Sequence, residues 1–364
     1  MKTGKVPYAG HMVEGGDVAD TTPRVVLVTG ASTFLGGYLT TRLAQNPDID
    51  RVIAVDSRAP SKDMLRRFGR AEFVRVDIRR SAIAKVIDKA GVDTVVHAAT
   101  SVMDTVGHSP AIKEFNVIGT MQLCAACQRS PTVKRFVVRS SGMIYGASSA
   151  DPAHFSEDTH ARHEPTHGYA RDLLDVEGYA RGLGRRRPDM SVTILRLSAM
   201  LGPQISTRMS KYFSATVIPV VIGHEPRLQF LHEEDALSAL EHATLAGRAG
   251  TFNIAADGVV TLSQAVRRAG RVALPVPGRM LGTVAGVYRG MRVAPFHSDQ
   301  ADYLTFGRVL DTTRMRTELG FEPKYTSLET FDDFISRKPL EPVISPAAWR
   351  RLEQWIAQAA KQLT

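Results

Sequence analysis

The feature that most constrains this chain is an alternation. Short apolar runs, VVLV (25–28), VIAV (52–55), FVRV (73–76), TVVH (94–97), RFVV (135–138) and VTIL (192–195), are separated by longer amphipathic segments such as 36–45, 81–90, 110–129 and 168–184. The runs are rich in β-branched residues and apolar almost throughout, as strands covered on both faces must be. Strands alternating with helices form right-handed βαβ units around a parallel sheet. The expected fold is therefore α/β, a Rossmann-type doubly wound parallel sheet. After residue 200 the runs shorten and prolines interrupt them, which suits a smaller C-terminal α/β lobe.

Length agrees with two lobes, because a single core stops growing at about 250–300 residues and this chain has 364. With 43% hydrophobic and 23% charged residues it is neither disordered, collagenous nor coiled-coil. Two cysteines cannot frame a disulfide scaffold and favour a reducing, cytoplasmic setting. Residues 1–23 read as a flexible tail without the apolar run of roughly 7–15 residues that a secretory signal needs. No apolar stretch reaches the roughly 18 residues of a membrane-spanning helix.

The first strand runs into Thr29-Gly30-Ala31-Ser32-Thr33-Phe34-Leu35-Gly36-Gly37 and then a helix. Glycines at such a turn let backbone approach a pyrophosphate, and the helix N-terminus offers unpaired N–H groups. Asp56 ends the second strand, where a carboxylate accepts hydrogen bonds from a ribose diol and repels a 2′-phosphate. Thr33 replaces a middle glycine, and its hydroxyl is expected to donate to the phosphates. Arg58 keeps NADP open as the less favoured cofactor beside NAD. Gly30, Thr33, Phe34, Leu35, Gly36 and Asp56 are the expected cradle, within an NAD-binding domain over 24–200. A substrate lobe over 201–340, from which the chain can cross back, and an amphipathic helix over 341–364 complete the expected organisation.

These residues belong to a longer ordered string: TGASTFLG (29–36), Asp56, Asp77-Ile78, VVHAA (95–99), NVIGT (116–120), SSGMIYG (140–146), Tyr169, LRLSAMLGP (195–203), FLHEEDA (230–236), FNIAADG (252–258) and LDTTRMRTELGFEP (310–323). From about Arg24 to Phe334 the chain resembles an extended short-chain dehydrogenase/reductase of the NAD-dependent epimerase/dehydratase kind, typified by UDP-glucose 4-epimerase. The resemblance implies that Asp77 and Ile78 flank the adenine, that Ala98 and Ala99 lie along the cofactor, and that Asn116 supports the site. It also implies that Ser141 polarises a substrate oxygen, that Tyr169 is the acid/base and also meets the cofactor, and that a homodimer forms.

The chain departs from that pattern in three places. Family members place a lysine one helical turn after the tyrosine, where its charge favours the phenolate; here the position is Leu173. Arg171 falls on the other side of the helix, and His167 lies just before it. Ala199 replaces an asparagine that contacts substrate phosphate, and Leu228 replaces an arginine for the diphosphate, with Arg227 on the opposite strand face. On these residues a nucleotide-diphosphate sugar is less favoured than the family name suggests.

Other candidates read as structural. Cys124 and Cys127 lie deep in an apolar helix, unlike a redox pair. The histidines show no metal spacing, so no metal is expected, and His97 and His232 read as structural. The net charge of +9 is concentrated in 261–310, where Arg267, Arg268, Arg271, Arg279, Arg289, Arg292 and Arg308 face only Asp299 and Asp302. That segment, and the seam of Trp349, Leu352, Ile356, Ala359 and Leu363, leave peripheral membrane contact open beside ordinary packing. No nucleic-acid-binding signature accompanies the charge. The leading expectation is an NAD-dependent epimerase/dehydratase-like oxidoreductase acting by hydride transfer on a hydroxyl or carbonyl group of a sugar nucleotide or other hydroxylated substrate, with an active site altered at Leu173. The alternative is a non-catalytic NAD-binding regulatory or membrane-associated protein.

Overall fold

In a computed structural model, residues 23–100, 110–161, 165, 168–278 and 298–337 are described. The first half alternates as the sequence requires: β1 (Val25–Thr29), α1 (Phe34–Gln45), β2 (Arg51–Asp56), α2 (Lys62–Arg67), β3 (Glu72–Arg75), α3 (Ala82–Ala90) and β4 (Thr94–His97). Then come α4 (Pro110–Lys113), a π turn (Glu114–Ile118), α5 (Gly119–Arg129), β5 (Arg135–Ser141), α6 (Gly168–Arg186) and β6 (Ser191–Leu197). The helix expected over 110–129 is thus continuous but carries a π turn at Asn116, a device frequent at functional sites.

The second half holds β7 (Ala199–Leu201), α7 (Arg208–Ser214), β8 (Val217–Val221), β9 (Arg227–Leu228), β10 (Phe230–His232), α8 (Glu233–Ala246) and β11 (Gly250–Ile254). It continues through β12 (Val260–Thr261), α9 (Leu262–Arg268), β13 (Val272–Val276), α10 (Ser298–Phe306), β14 (Gly307–Arg308), α11 (Thr313–Thr317) and α12 (Ser327–Arg337).

Seven strands form one parallel sheet in the order β11-β6-β5-β4-β1-β2-β3. Apolar clusters cover both faces, one around Leu39, Leu43 and Leu240, the other around Ile87, Leu123 and Leu183. This is why the strands tolerate no alternation of polar residues. The chain runs outward from β1 through β2 to β3, then returns to place β4 beside β1, Thr29 opposite His97. That reversal is the topological switch point, where the carboxyl ends of strands open a crevice. Beyond residue 201 the chain comes back to the same sheet, because β11 pairs with β6 and α8 packs on α1. The short strands β7 to β10 and β12 to β14 build a second layer around Tyr212, Phe213, Phe230, Phe331 and Phe334. Phe213 meets Phe331 edge-on at 5.0 Å.

A buried ion pair ties the halves of the first domain. Arg196 of β6 donates to Glu177 of α6 at 2.8 and 3.1 Å, to the Tyr145 hydroxyl at 2.7 Å and to the Glu157 carbonyl at 2.8 Å. Residues 1–22 of the expected tail, the middle of the basic stretch (279–297) with Arg279, Arg289 and Arg292, His167 and the C-terminal helix lie outside the described residues. Among the described residues no helix is long and apolar enough to cross a membrane.

Candidate functional site

The switch point carries the glycine turn. Gly30 has φ +79°, and a Cβ there would lie 2.8 Å from the Ala99 Cα, so no side chain fits. A Cβ on Gly36 would lie 2.2 Å from the Gly30 carbonyl oxygen, so the first turn of α1 sits directly on the loop. Thr33 caps α1: its hydroxyl accepts from the Gly36 amide at 3.2 Å and donates to the Gly30 carbonyl at 2.7 Å. The hydroxyl expected to reach a phosphate therefore closes the turn instead. The amides of Phe34 and Leu35 have no acceptor among the described residues and remain as the free donors of the helix N-terminus.

Asp56 accepts from the Ser32 amide and hydroxyl on Oδ2, at 2.9 and 2.7 Å, and from the Arg58 amide on Oδ1 at 3.1 Å. A carboxylate offers about four acceptor sites, so Oδ1 keeps one for a ribose hydroxyl. Asp77 is gripped by Arg79 through both oxygens at 2.6 to 3.1 Å, and these bonds hold its carboxyl below the usual range. Ile78 is buried against Gly119, where a Cβ would come within 2.8 Å of its Cδ1. Ala98 and Ala99 are buried at the end of β4. His97 bridges Thr29 and Thr120 hydroxyls at 2.9 and 2.8 Å; burial, and then the Arg139 charge, lower it to about 4, so it stays neutral. Asn116 donates to Asp172 at 3.0 Å and thereby fastens the π turn to α6, the helix that bears Tyr169.

Ser141 ends β5. Its hydroxyl donates to the Leu197 carbonyl at 3.2 Å and accepts from the Met143 amide at 3.3 Å. Tyr169 stands in the first turn of α6 and donates to the Thr100 hydroxyl at 3.3 Å. Leu173, one turn further, is fully buried among Ile144, Tyr145, Phe155, Tyr169, Ala255 and Leu310. Arg171 pairs with Asp175 at 3.0 Å.

Thr33, Phe34, Leu35, Ser141 and Tyr169 line one cavity of about 300 Å³. The sequence-expected turn and the sequence-expected catalytic pair thus meet in one space. Asp56, Asp77, Ile78, Ala98, Ala99 and Asn116 are not among its lining residues. The cavity also takes in Arg139, Arg208 and Arg308, and no Asp or Glu lines it among the described residues. Several of its polar atoms are buried without a partner among the described residues: Nε of Arg139, the Ser198 hydroxyl, and both amide atoms of Gln300. Orphaned polar atoms of this kind mark a place where a ligand completes the hydrogen bonding.

Arg308 corrects the reading of the diphosphate position. Leu228 is fully buried, but β14 pairs with β9 so that Arg308 lies directly beside Leu228. Arg308 donates to the Gly146 carbonyl at 2.8 Å, lies over the Tyr303 ring at 5.2 Å, and comes within 3.7 Å of a Cβ built on Gly142. A cation absent at position 228 is thus present on the neighbouring strand, which removes the ground that Leu228 gave against an anionic nucleotide sugar and leaves the one from Ala199. Arg227 points elsewhere, to the Ala153 carbonyl at 3.2 Å. Arg139 had a sequence signal that went unused, a lone charge inside the apolar run before Ser141. Arg308 had none, because only strand register places it.

Cys124 and Cys127 are free and buried, and burial pushes the Cys124 thiol up to about 12. Among the described residues no three His, Cys, Asp or Glu side chains are grouped to hold a metal ion.

Fold and site together define a doubly wound α/β protein of the extended short-chain dehydrogenase/reductase type, with a glycine cradle at the switch point and a Ser–Tyr pair beside it. The model of the NAD-dependent epimerase/dehydratase family matches residues 26–255. The chain belongs to that family. An uncharacterized protein of Mycobacterium tuberculosis is 55% identical over 338 residues, 93% of this chain and 89% of the relative. The crystal structure of UDP-glucose 4-epimerase from Thermotoga maritima, with UDP-glucose, superposes with a TM-score of 0.66 at 19% identity, covering 86% of this chain and 98% of that one. The dTDP-glucose 4,6-dehydratase of Bacillus anthracis, in complex with NAD, gives 0.65 at 18% identity, covering 87% and 100%.

Proposed function

We propose that the chain is an NAD-dependent oxidoreductase acting on a hydroxyl or carbonyl carbon of a nucleotide sugar or comparably anionic hydroxylated substrate. The observation that carries this reading is the shared cavity: Ser141, Tyr169 and the α1 N-terminus line one space that also holds three arginines and no acid. The turn fits NAD because Gly30 admits no Cβ and the Phe34 and Leu35 amides are free. NAD, when bound, supplies the hydride acceptor and donor. The Phe34 and Leu35 amides hold a pyrophosphate, and Asp56 Oδ1 accepts a ribose hydroxyl. The long bond from Ser141 to the Leu197 carbonyl is readily exchanged for one to a substrate oxygen. Tyr169 moves the proton at that oxygen. Arg208 and Arg308 neutralise phosphate or carboxylate.

A mixing experiment tests this. Purified protein with NAD is mixed with a panel of nucleotide sugars while the near-ultraviolet absorbance of reduced nicotinamide is followed. The reading predicts either a change in that absorbance or chromatographic conversion of a nucleotide sugar, and Tyr169→Phe abolishes it; equal turnover in the variant contradicts the role given to Tyr169. One observation favours a second reading, an NAD-binding protein without turnover: the lysine position is Leu173, sealed in an apolar cluster. Tight NAD binding with neither an absorbance change nor conversion of any nucleotide sugar by chromatography would select it.

A further inference from the structure

Folded proteins leave few buried polar side chains without a hydrogen-bond partner, so a buried glutamine with neither end of its amide bonded points to a missing ligand. Gln300 is such a residue. It is 5% exposed and lines the cavity that holds Ser141 and Tyr169. Neither its Oε1 nor its Nε2 has a partner among the described residues. Gln300 stands in the first turn of α10, three residues before Tyr303, so the two share one helix face. Tyr303 and Leu304 fix the helix by packing into the cluster of Phe213, Phe230 and Phe331. The Arg308 guanidinium lies over the Tyr303 ring at 5.2 Å. The Arg308 Cδ comes within 3.7 Å of a Cβ built on Gly142, the residue after Ser141. Gln300 therefore belongs to a wall of the cavity that begins beside Ser141.

The chemistry of the carboxamide narrows what it can meet. Oε1 only accepts and Nε2 only donates. A phosphate or carboxylate oxygen accepts only, so it satisfies Nε2 and leaves Oε1 bare; the arginines of the cavity suit such groups better. An apolar group satisfies neither atom. Two hydroxyls on neighbouring carbons satisfy both, one donating to Oε1 while the other accepts from Nε2. A nucleobase edge offers the same donor–acceptor pair but carries no hydroxyl carbon for Ser141 and Tyr169 to act on. At about 300 Å³ the cavity is at the small end for a ligand site, so a sugar ring set against Ser141 and Tyr169 stays close to the α10 wall.

We propose that Gln300 is a specificity-determining residue of the substrate site, its carboxamide holding a pair of neighbouring hydroxyls on the sugar ring of the substrate. The inference rests on the nucleotide-sugar reading of this cavity and deepens it. Its test reads binding and ligand-free stability, not turnover, so the two fail separately.

The test uses Gln300→Met, which keeps the volume and removes both donor and acceptor. UDP-glucose, dTDP-glucose and GDP-mannose are titrated calorimetrically into the NAD-saturated native protein and the variant, beside UDP, dTDP and GDP. For the nucleotide sugar that the native protein binds most tightly, the variant is expected to lose at least about tenfold in affinity. Affinity for the matching nucleoside diphosphate is expected to stay the same. An unchanged affinity for the nucleotide sugar overturns the proposal. So does an equal loss for the nucleoside diphosphate, which assigns Gln300 to the base or the phosphates. The ligand-free proteins give a second readout. Replacing an unsatisfied buried amide by an apolar group of like shape costs the fold nothing, so Gln300→Met should melt at the native temperature or above. A lower melting temperature, or failure to fold, identifies a structural partner for the amide and overturns the proposal. If the native protein binds none of the nucleotide sugars, the nucleotide-sugar reading falls and this inference with it; every other adverse outcome strikes this inference alone.

Discussion

Restoring the lysine that the family places after the tyrosine is the obvious repair, and the structure predicts that it fails. Leu173 is fully buried among the apolar side chains of Ile144, Tyr145, Phe155, Tyr169, Ala255 and Leu310. Leu173→Lys forfeits roughly 1.5–3 kcal/mol of leucine burial. It also places an ammonium among these apolar side chains, and desolvating it costs several kcal/mol more. The total is on the order of 4 kcal/mol or above, in the far tail of single substitutions. The sign with pH follows. Burial disfavours the charged form, so the introduced amine has a folded pKa below the roughly 10.4 of the unfolded chain. Between the two values the unfolded state binds more protons, and stability rises with pH. The deficit against the native protein is therefore largest near neutral pH and shrinks toward about pH 10, by at most about 1.4 kcal/mol per pH unit. Urea unfolding of both proteins across that range measures it. A variant as stable as the native protein at neutral pH, with a difference independent of pH, would place position 173 on the cavity and refute the reasoning.

Asp56→Ala removes the acceptor proposed for the ribose; fluorescence titration should show NADH affinity falling about tenfold and the preference over NADPH narrowing, whereas an unchanged preference contradicts the assignment. Gly30→Ala forces a side chain into a left-handed turn facing Ala99, at a cost of at least about 1–2 kcal/mol, and thermal melting should register the loss. Glu177→Gln weakens the buried pair with Arg196. Burial pushes the Glu177 carboxyl up, but the Arg196 hydrogen bonds and charge, with Ser140 and Arg181, outweigh it and hold the carboxyl below the usual range. Its contribution is therefore complete above the unfolded value of about 4.3 and is lost as pH falls through the lower folded value. The native protein's advantage over Glu177→Gln, up to about 3–5 kcal/mol, should fade in acid; a constant gap contradicts it.

The six apolar runs read from the sequence coincide with β1 to β6; five are largely buried strands that must be apolar, while β3 is the half-exposed edge of the sheet. The glycine turn was legible for a similar reason: Gly30 and Gly36 sit where any side chain collides with backbone. β11 was harder, since only its pairing with β6 draws FNI back to the first sheet. The second layer left little pattern, because β9, β12 and β14 are two residues each. The placement of Arg308 at the cavity became visible only through the register of β14 against β9, a relation in space. The cap that the Thr33 hydroxyl makes between the Gly30 carbonyl and the Gly36 amide was not read from the sequence.

The central claim is that the cradle at the end of β1 holds NAD. Calorimetric titration of nucleotide-stripped protein with NAD measures this most directly. The account predicts saturable one-to-one binding at about micromolar concentrations, weakened at least tenfold in Gly30→Ala. No binding below about 1 mM, or equal binding by Gly30→Ala, would contradict it.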